Sequence, residues 1–330
     1  MLINNMNEIK NIGVFTSGGD SPGMNAAIRA VVRTGLYYNL KVTGIMRGYD
    51  GMINGEFSLM ERKSVANIIQ RGGTILKTAR SEEFRTKEGR KKAYDQLKTQ
   101  GIDALVAIGG DGTFTGANIF IEEFNIPVIG LPGTIDNDLV GTDYTIGYDT
   151  AINTVVEAVD KIRDTAESHD RLFIVEVMGR DSGLIALRSG IGTGAESILI
   201  PETRTDINAL MARLEKGRKD KSSKIIIVAE GDDAGGAFEI AKVVKEKFPT
   251  IDTRVSILGH MQRGGAPSCM DRVLASRLGV SAVESLLEGR KGEMIGIVNN
   301  EIHFTPFGHA IKHISGVNEE LLKIVEILSL

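Results

Sequence analysis

Ala104-Leu105-Val106-Ala107-Ile108-Gly109-Gly110-Asp111-Gly112-Thr113 passes from an unbroken apolar run into an aspartate bracketed by glycines. So short an apolar run reads as a strand covered on both faces. The glycines end it, and a helix is expected near Phe114–Phe124. The same unit stands to either side. Ile12–Thr16 leads through Gly18-Gly19-Asp20 toward a helix near Met24–Tyr38, and Lys41–Met46 reads as the next strand. Pro127–Leu131 runs into Pro132-Gly133-Thr134. A long helical pattern follows from about Asp149 to Ser168, with Ile152, Val155, Val156, Val159 and Ile162 at helical spacing. Further strands are expected at Leu172–Val177, Ser197–Ile200, Lys224–Ala229 and Arg254–Leu258, with helices near Asp206–Lys219 and Phe238–Phe248. Met294–Val298 reads as a late strand and Glu319–Leu328 as a terminal helix. Strands alternating with helices predict parallel sheets with helical crossovers. Two α/β lobes are expected, hinged near the glycine-rich Gly141–Gly147.

Composition narrows the function classes. A chain of 330 residues can form two cores, since single cores rarely exceed about 250–300 residues. Its 39 basic and 43 acidic residues leave a net charge of −4. That argues against a general nucleic-acid binder, which needs a basic excess. The single cysteine, Cys269, rules out an internal disulfide or a multi-thiolate metal site. No segment reaches the ~18 apolar residues of a membrane span, and Met1 to Lys10 carries no apolar signal core. A cytoplasmic protein with no membrane partner is expected.

Three loops at expected strand ends face phosphate chemistry. Gly18-Gly19-Asp20-Ser21-Pro22-Gly23 can bring backbone N–H groups to an anion at a helix start. Gly109-Gly110-Asp111-Gly112-Thr113 adds a carboxylate where Mg²⁺ could bridge to phosphate oxygens. An N-cap aspartate is the plainer account, but capping does not require glycines on both sides. Pro132-Gly133-Thr134-Ile135-Asp136-Asn137-Asp138 places two carboxylates two residues apart, one to accept a proton and one for the metal shell. A polar turn would also account for it. No P-loop motif, no dinucleotide G-x-G-x-x-G after a strand and no zinc spacing is found.

These loops, in this order, resemble the phosphofructokinase family, and closely its bacterial ATP-dependent branch. The resemblance covers nearly the whole chain and weakens after about Phe307. It is carried by Gly13–Arg33, Arg71–Arg80, Gly109–Thr113, Pro132–Gly147, Val175–Arg180 and Gly259–Gly265. It implies two Rossmann-like three-layer lobes with mostly parallel sheets and an active site in the cleft between them. Residues 1–146 with about 261–311 would bind ATP; about 147–260 with 312–330 would bind fructose 6-phosphate. Gly19, Arg80, Ser81, Gly110, Asp111, Gly112 and Thr113 would form the ATP site, with Asp111 holding Mg²⁺. Asp136 would accept the proton of the sugar 1-hydroxyl, flanked by Thr134, Ile135 and Asp138, and Arg180 would stabilise the transferring group. Arg171, Arg254, His260 and Arg263 resemble the clamp on the 6-phosphate, and Met178, Gly179, Glu230, Met261 and Gln262 its further sugar contacts. Arg171 and Arg254 would come from a neighbouring subunit, so a homotetramer with shared sites is implied.

Two features bear on donor and control. Gly112 and Gly133 stand where a pyrophosphate-using branch tends to carry aspartate and lysine, so ATP is the expected donor. A pyrophosphate-dependent enzyme and a non-catalytic regulatory relative are the alternatives. A kinase acting on NAD or a lipid would leave the phosphate clamp unexplained, and tagatose 6-phosphate could share that clamp. In the family the chain resembles, an aromatic that could pack on the nucleotide base is found near the position of Ser81. Arg29, Arg33, Arg163 and Glu196, with Lys219 and Lys221, match part of an effector site for ADP or phosphoenolpyruvate. Glu56 falls where an effector-binding arginine is usual, and its charge would repel an anionic effector.

Overall fold

The computed structural model describes residues 9–216, 224–311 and 319–328. In chain order the elements begin β1 (Asn11–Thr16), α1 (Met24–Tyr37), β2 (Lys41–Ile45), α2 (Gly48–Asn54), β3 (Phe57–Leu59), α3 (Lys87–Thr99), β4 (Ala104–Gly109), α4 (Asp111–Phe124) and β5 (Val128–Pro132). There follow α5 (Tyr148–Glu167), β6 (Leu172–Val177), α6 (Leu184–Thr193), β7 (Ser197–Leu199), α7 (Ile207–Lys216), β8 (Lys224–Ala229), α8 (Gly236–Lys247) and β9 (Thr253–Ile257). The last are α9 (Cys269–Leu287), β10 (Glu293–Val298), β11 (Glu301–Pro306), α10 (Phe307–Ala310) and α11 (Glu319–Leu328). The expected helix starting near Phe114 begins three residues earlier, at Asp111, because Gly110 already stands in the extended N-cap conformation. The far end of the expected Asp206–Lys219 helix, with Lys219 and Lys221, lies outside the described residues.

The described residues fall into two compact units. The first draws on Met1–Ile135, Leu139–Asp149 and Arg263–His313, the second on Asp136–Asp138, Thr150–Gln262 and Ile314–Leu330. The segment Gly141–Gly147, expected as a hinge, belongs to the first unit. The Ile146 N–H donates to the Pro132 carbonyl at 2.8 Å, and the Gly147 N–H donates to the Asp271 carboxylate at 2.8 Å.

The first unit holds a seven-stranded sheet in the order β11-β10-β5-β4-β1-β2-β3, parallel except where β3 and β11 join their neighbours as antiparallel edges. Side-chain parity builds three layers. Ile12 and Val14 of β1, with Val106 and Ile108 of β4, share a core with Ile28 and Val31 of α1 and Leu274 and Leu278 of α9. Phe15, Leu105 and Ala107 point the other way, onto Met52, Leu97, Phe114 and Phe120. Each such side chain contributes roughly 1.5–3 kcal/mol when fully buried. β1 connects toward β2 on one side and β4 toward β5 on the other, so a topological switch lies between β1 and β4. Ligands in open α/β sheets bind beyond strand ends at such a switch, and the first two glycine loops leave the sheet there.

The second unit holds a parallel four-stranded sheet in the order β7-β8-β6-β9. Leu172, Ile174, Ile226 and Val228 pack on Leu210, Leu214, Ile240 and Val244 of α7 and α8. Met178–Arg180, Glu230 and Gly259–Arg263 therefore all follow carboxyl ends of strands in this sheet.

Candidate active site

In the first unit the glycine loops are held open by buried polar side chains. Thr113 is buried and its Oγ1 donates to the Ser17 carbonyl at 3.2 Å. A Cβ on Gly109 would collide with Thr113 and with the Ser17 backbone, so only glycine lets the two loops approach. The Gly133 N–H donates to the Gly109 carbonyl at 2.9 Å, and Thr134 lies beside Gly110. The second and third loops are thus stitched together by backbone.

A further segment, residues 71–80, crosses the first loop. Buried Asn25 donates to the Arg71 carbonyl at 3.0 Å and accepts from the Ile75 N–H at 2.8 Å. Thr16 donates to the Lys77 carbonyl at 2.8 Å, and Thr78 donates to the Gly18 carbonyl at 2.7 Å. These bonds carry exposed Arg80 and half-buried Ser81 along the rim of that loop. Arg263 lies on the same loop. Its Nη1 donates to the Asp20 carbonyl at 3.1 Å, and any side chain on Gly19 would strike its guanidinium. Expected on a sugar phosphate, Arg263 stands in this structure against the Gly19 loop.

Asp111 opens α4 and is half-buried. A Cβ on Gly112 would meet nothing within 4 Å, so the space beside Asp111 is open. One carboxylate at a helix start, with room for phosphate oxygens, fits Mg²⁺, which keeps waters and shares phosphate ligands. Among the described residues no group of three or more His, Cys, Asp and Glu could form an all-protein cage.

In the second unit Asp136 is 3% exposed, and Arg180 Nε lies 3.7 Å from its Oδ2. That separation is too long for a hydrogen bond but close enough for strong attraction around a buried carboxylate. Arg180 has a left-handed backbone, φ 54°, unusual for a residue with a Cβ. The cause is visible. Glu230 Oε1 accepts the N–H groups of both Gly179, at 3.3 Å, and Arg180, at 2.8 Å. Gly231 leaves space for the Arg180 carbonyl, where a Cβ would clash. Glu230, expected as a sugar contact, thereby also fixes the turn that aims Arg180.

Gln262 has a different place from the one expected. It is fully buried, accepts from the Met178 N–H at 3.3 Å and donates to the Gly259 carbonyl at 3.1 Å. Both ends of its amide hold loops, so it positions Met178 and Gly259. His260 and Met261 beside it are exposed. Arg171 and Arg254 converge on one carboxylate: Asp252 Oδ2 accepts from Arg171 Nε at 2.7 Å and from Arg254 Nη2 at 3.1 Å.

The expected effector residues are drawn from both units. Arg29 and Arg33 lie on α1, and burial together with the Arg33 charge lowers the Arg29 pKa from its ordinary value. Arg163 donates to the Thr193 carbonyl at the end of α6, and the Glu196 carbonyl accepts from Arg213. The expectation for Glu56 needs correction. Its carboxylate is paired with Arg47, so it does not present an unbalanced negative charge.

Sequence reasoning missed Asn25, Asp252 and Tyr49, whose hydroxyl donates to the Thr113 carbonyl at 2.6 Å from a stack on Phe84. An amide side chain on the mostly apolar buried face of α1 was the available signal for Asn25.

Comparison with known proteins now bears on these loops. Residues 11–286 match the family model described as phosphofructokinase. The chain belongs to the phosphofructokinase family. A Cytophaga hutchinsonii protein named ATP-dependent 6-phosphofructokinase is 59% identical over 97% of this chain and 98% of its own length. The phosphofructokinase structure from Saccharomyces cerevisiae superposes with a TM-score of 0.86 at 40% identity, covering 97% of this chain. This chain spans 46% of that longer one. A pyrophosphate-dependent phosphofructokinase from Marinobacter aquaeolei shares the fold, at a TM-score of 0.83 and 22% identity.

Proposed function

We propose that this chain is an ATP-dependent 6-phosphofructokinase that transfers the terminal phosphoryl group of ATP to the 1-hydroxyl of fructose 6-phosphate, at the committed step of glycolysis. The observation that carries the reading is the buried Asp136 carboxylate with the Arg180 guanidinium 3.7 Å away. A buried carboxylate can take the hydroxyl proton as the oxygen attacks, while the arginine meets the charge that develops on the transferring group. A purely regulatory relative has no use for this pair.

Each unit takes one part of the work. In the first, Gly19, Arg80, Ser81 and the Gly110–Thr113 turn hold the nucleotide phosphates through backbone N–H groups and charge, with Thr134 beside Gly110. Asp111 would hold Mg²⁺, which neutralises phosphate charge when bound. In the second, Asp138 joins Asp136, while Ile135, the last residue of the first unit's opening segment, leads into them. Met178, Gly179, Glu230, His260 and Met261 bound the sugar, while Arg171 and Arg254, with Arg263 contributed by the first unit, supply positive charge for its phosphate. Assembly as a homotetramer, with Arg171 and Arg254 serving a neighbour's site, belongs to the proposal. So do action in the cytoplasm and control by ADP or phosphoenolpyruvate through Arg29, Arg33 and Arg163.

The open space at Gly112 supports ATP as donor. An aspartate there would enter that space and repel an α-phosphate. The deciding assay follows fructose 1,6-bisphosphate formation with Mg²⁺ and either ATP or pyrophosphate. Turnover with ATP alone is expected; turnover with pyrophosphate alone overturns the donor assignment.

A further inference from the structure

Asp252 has no role in the reaction as described so far, yet two of the arginines proposed for the sugar phosphate are tied to it. It sits just ahead of β9, and Arg171 just ahead of β6. The parallel register sets Leu172 opposite Thr253, and the Leu172 N–H donates to the Asp252 carbonyl at 3.1 Å. Sheet pairing thus brings Arg171 to Asp252 from 81 positions away. Arg254 reaches back two residues on the same strand, with its Nε 3.0 Å from Oδ1 and its Nη2 3.1 Å from Oδ2.

The way the carboxylate is shared matters. Arg171 spends only its Nε on Asp252. Among the described residues its terminal Nη nitrogens, and Nη1 of Arg254, make no hydrogen bond within the chain. Those nitrogens form the guanidinium edge suited to a phosphate. Two arginines this close would otherwise repel and swing apart, since each carries large rotamer freedom. One carboxylate between them leaves a net charge of +1 and a fixed geometry. The hydrogen bond from Arg171 also holds the Asp252 pKa below its ordinary value, so the link stays ionised at neutral pH.

We propose that Asp252 is a positioning residue that yokes Arg171 and Arg254 into one receptor for the phosphate group of the sugar substrate. The inference rests on the functional reading above and makes a prediction that Coulomb attraction alone does not. Removing a negative charge beside two arginines should, by charge alone, tighten phosphate binding. Positioning predicts the opposite.

The test uses the full-length enzyme and its Asp252→Asn and Asp252→Glu variants, in the ATP-dependent assay with fructose 6-phosphate. The wild type is assayed first, and its failure to turn over removes the functional reading and this inference with it. With an active wild type, Asp252→Asn should raise the KM for fructose 6-phosphate by about tenfold, leave the KM for ATP unchanged and be partly rescued by Asp252→Glu. In an Arg171→Ala, Arg254→Ala background the same change should have no further effect. A KM for fructose 6-phosphate that is unchanged or lower overturns the inference while the function stands. So does a rise that appears only with dissociation of the enzyme in sedimentation, which would assign Asp252 to assembly.

Discussion

Single residues carry the sharpest chemistry here. Asp136 is buried and faces Arg180, so Asp136→Asn keeps shape and volume while removing the proton acceptor. Its kcat should fall by about 10²–10⁴-fold with the KM for fructose 6-phosphate little changed, which steady-state kinetics on folded protein will show. The two donor-linked glycines should part company. Gly112 faces open space, so Gly112→Asp should melt within about 0.5 kcal/mol of the wild type, as harmless surface changes do. Its kcat/KM for ATP should nevertheless drop roughly tenfold or more through repulsion. At Gly133 a Cβ would sit 3.1 Å from Ile108 and from Met24, so Gly133→Lys should cost stability as well, about 1–3 kcal/mol in denaturant melts. Equal destabilisation by both changes would contradict this reading. Asp111 and Asp136 were legible in the sequence because their meaning lies in the few residues around them. Asn25, Tyr49 and Asp252 were not, nor was the hold of Gln262 on Met178, because each acts on a partner 46 to 84 positions away that only the fold brings near.

At the level of elements, the strands with their glycine turns could be read directly, since a buried parallel strand is apolar throughout and its end is marked by Gly. α9 could not. Leu274, Leu278 and Ala282 are buried while Met270, Val273, Val280 and Leu287 stay exposed, so apolar residues surround the helix and no single stripe appears. α3 hid for the opposite reason, being mostly charged, with Ala93, Tyr94 and Leu97 as its apolar anchors. What ties α3 down is Arg90, which forms a two-pronged bond to Glu123 of α4 at 2.6 and 2.7 Å and donates to the Phe84 and Arg85 carbonyls. This latch fixes the stretch that follows Ser81, on the nucleotide side of the first unit. The hydrogen bond from Arg90 lowers the Glu123 pKa below its ordinary value. A carboxylate depressed by folding stabilises the native state fully above its unfolded pKa and loses that contribution as pH falls through the folded one. Glu123→Gln should therefore cost about 1–3 kcal/mol at pH 7. The gap to the wild type should shrink in acid melts below the usual carboxylate range. A gap that stays constant down to pH 3 would show that packing, not the charge, is what the substitution removes.

For the whole molecule the open matter is which chains complete a site. Asp136 and Arg171 belong to the same unit of one chain, yet the proposed tetramer has Arg171 and Arg254 serve a neighbour. Mixing two inactive variants separates these cases. Asp136→Asn keeps the arginines and lacks the proton acceptor; the double change Arg171→Ala with Arg254→Ala keeps the acceptor and lacks the clamp. If every site is built within one chain, each mixed assembly contains only defective sites. If arginines cross to a neighbour, some sites in a mixed tetramer unite an intact Asp136 with intact arginines. Random assembly from equal amounts then restores about a quarter of the wild-type sites, given a symmetric tetramer in which each site draws on two chains. The variants should be unfolded and refolded together, or co-expressed, and compared with the same variants mixed after assembly. Recovery confined to the co-assembled sample, at the fructose 6-phosphate KM of the wild type, establishes the shared site. Activity no higher than the sum of the two variants would place Arg171 and Arg254 in their own chain's site. The Asp252 yoke would then organise a receptor within each subunit, and its predicted effect on KM would be the same.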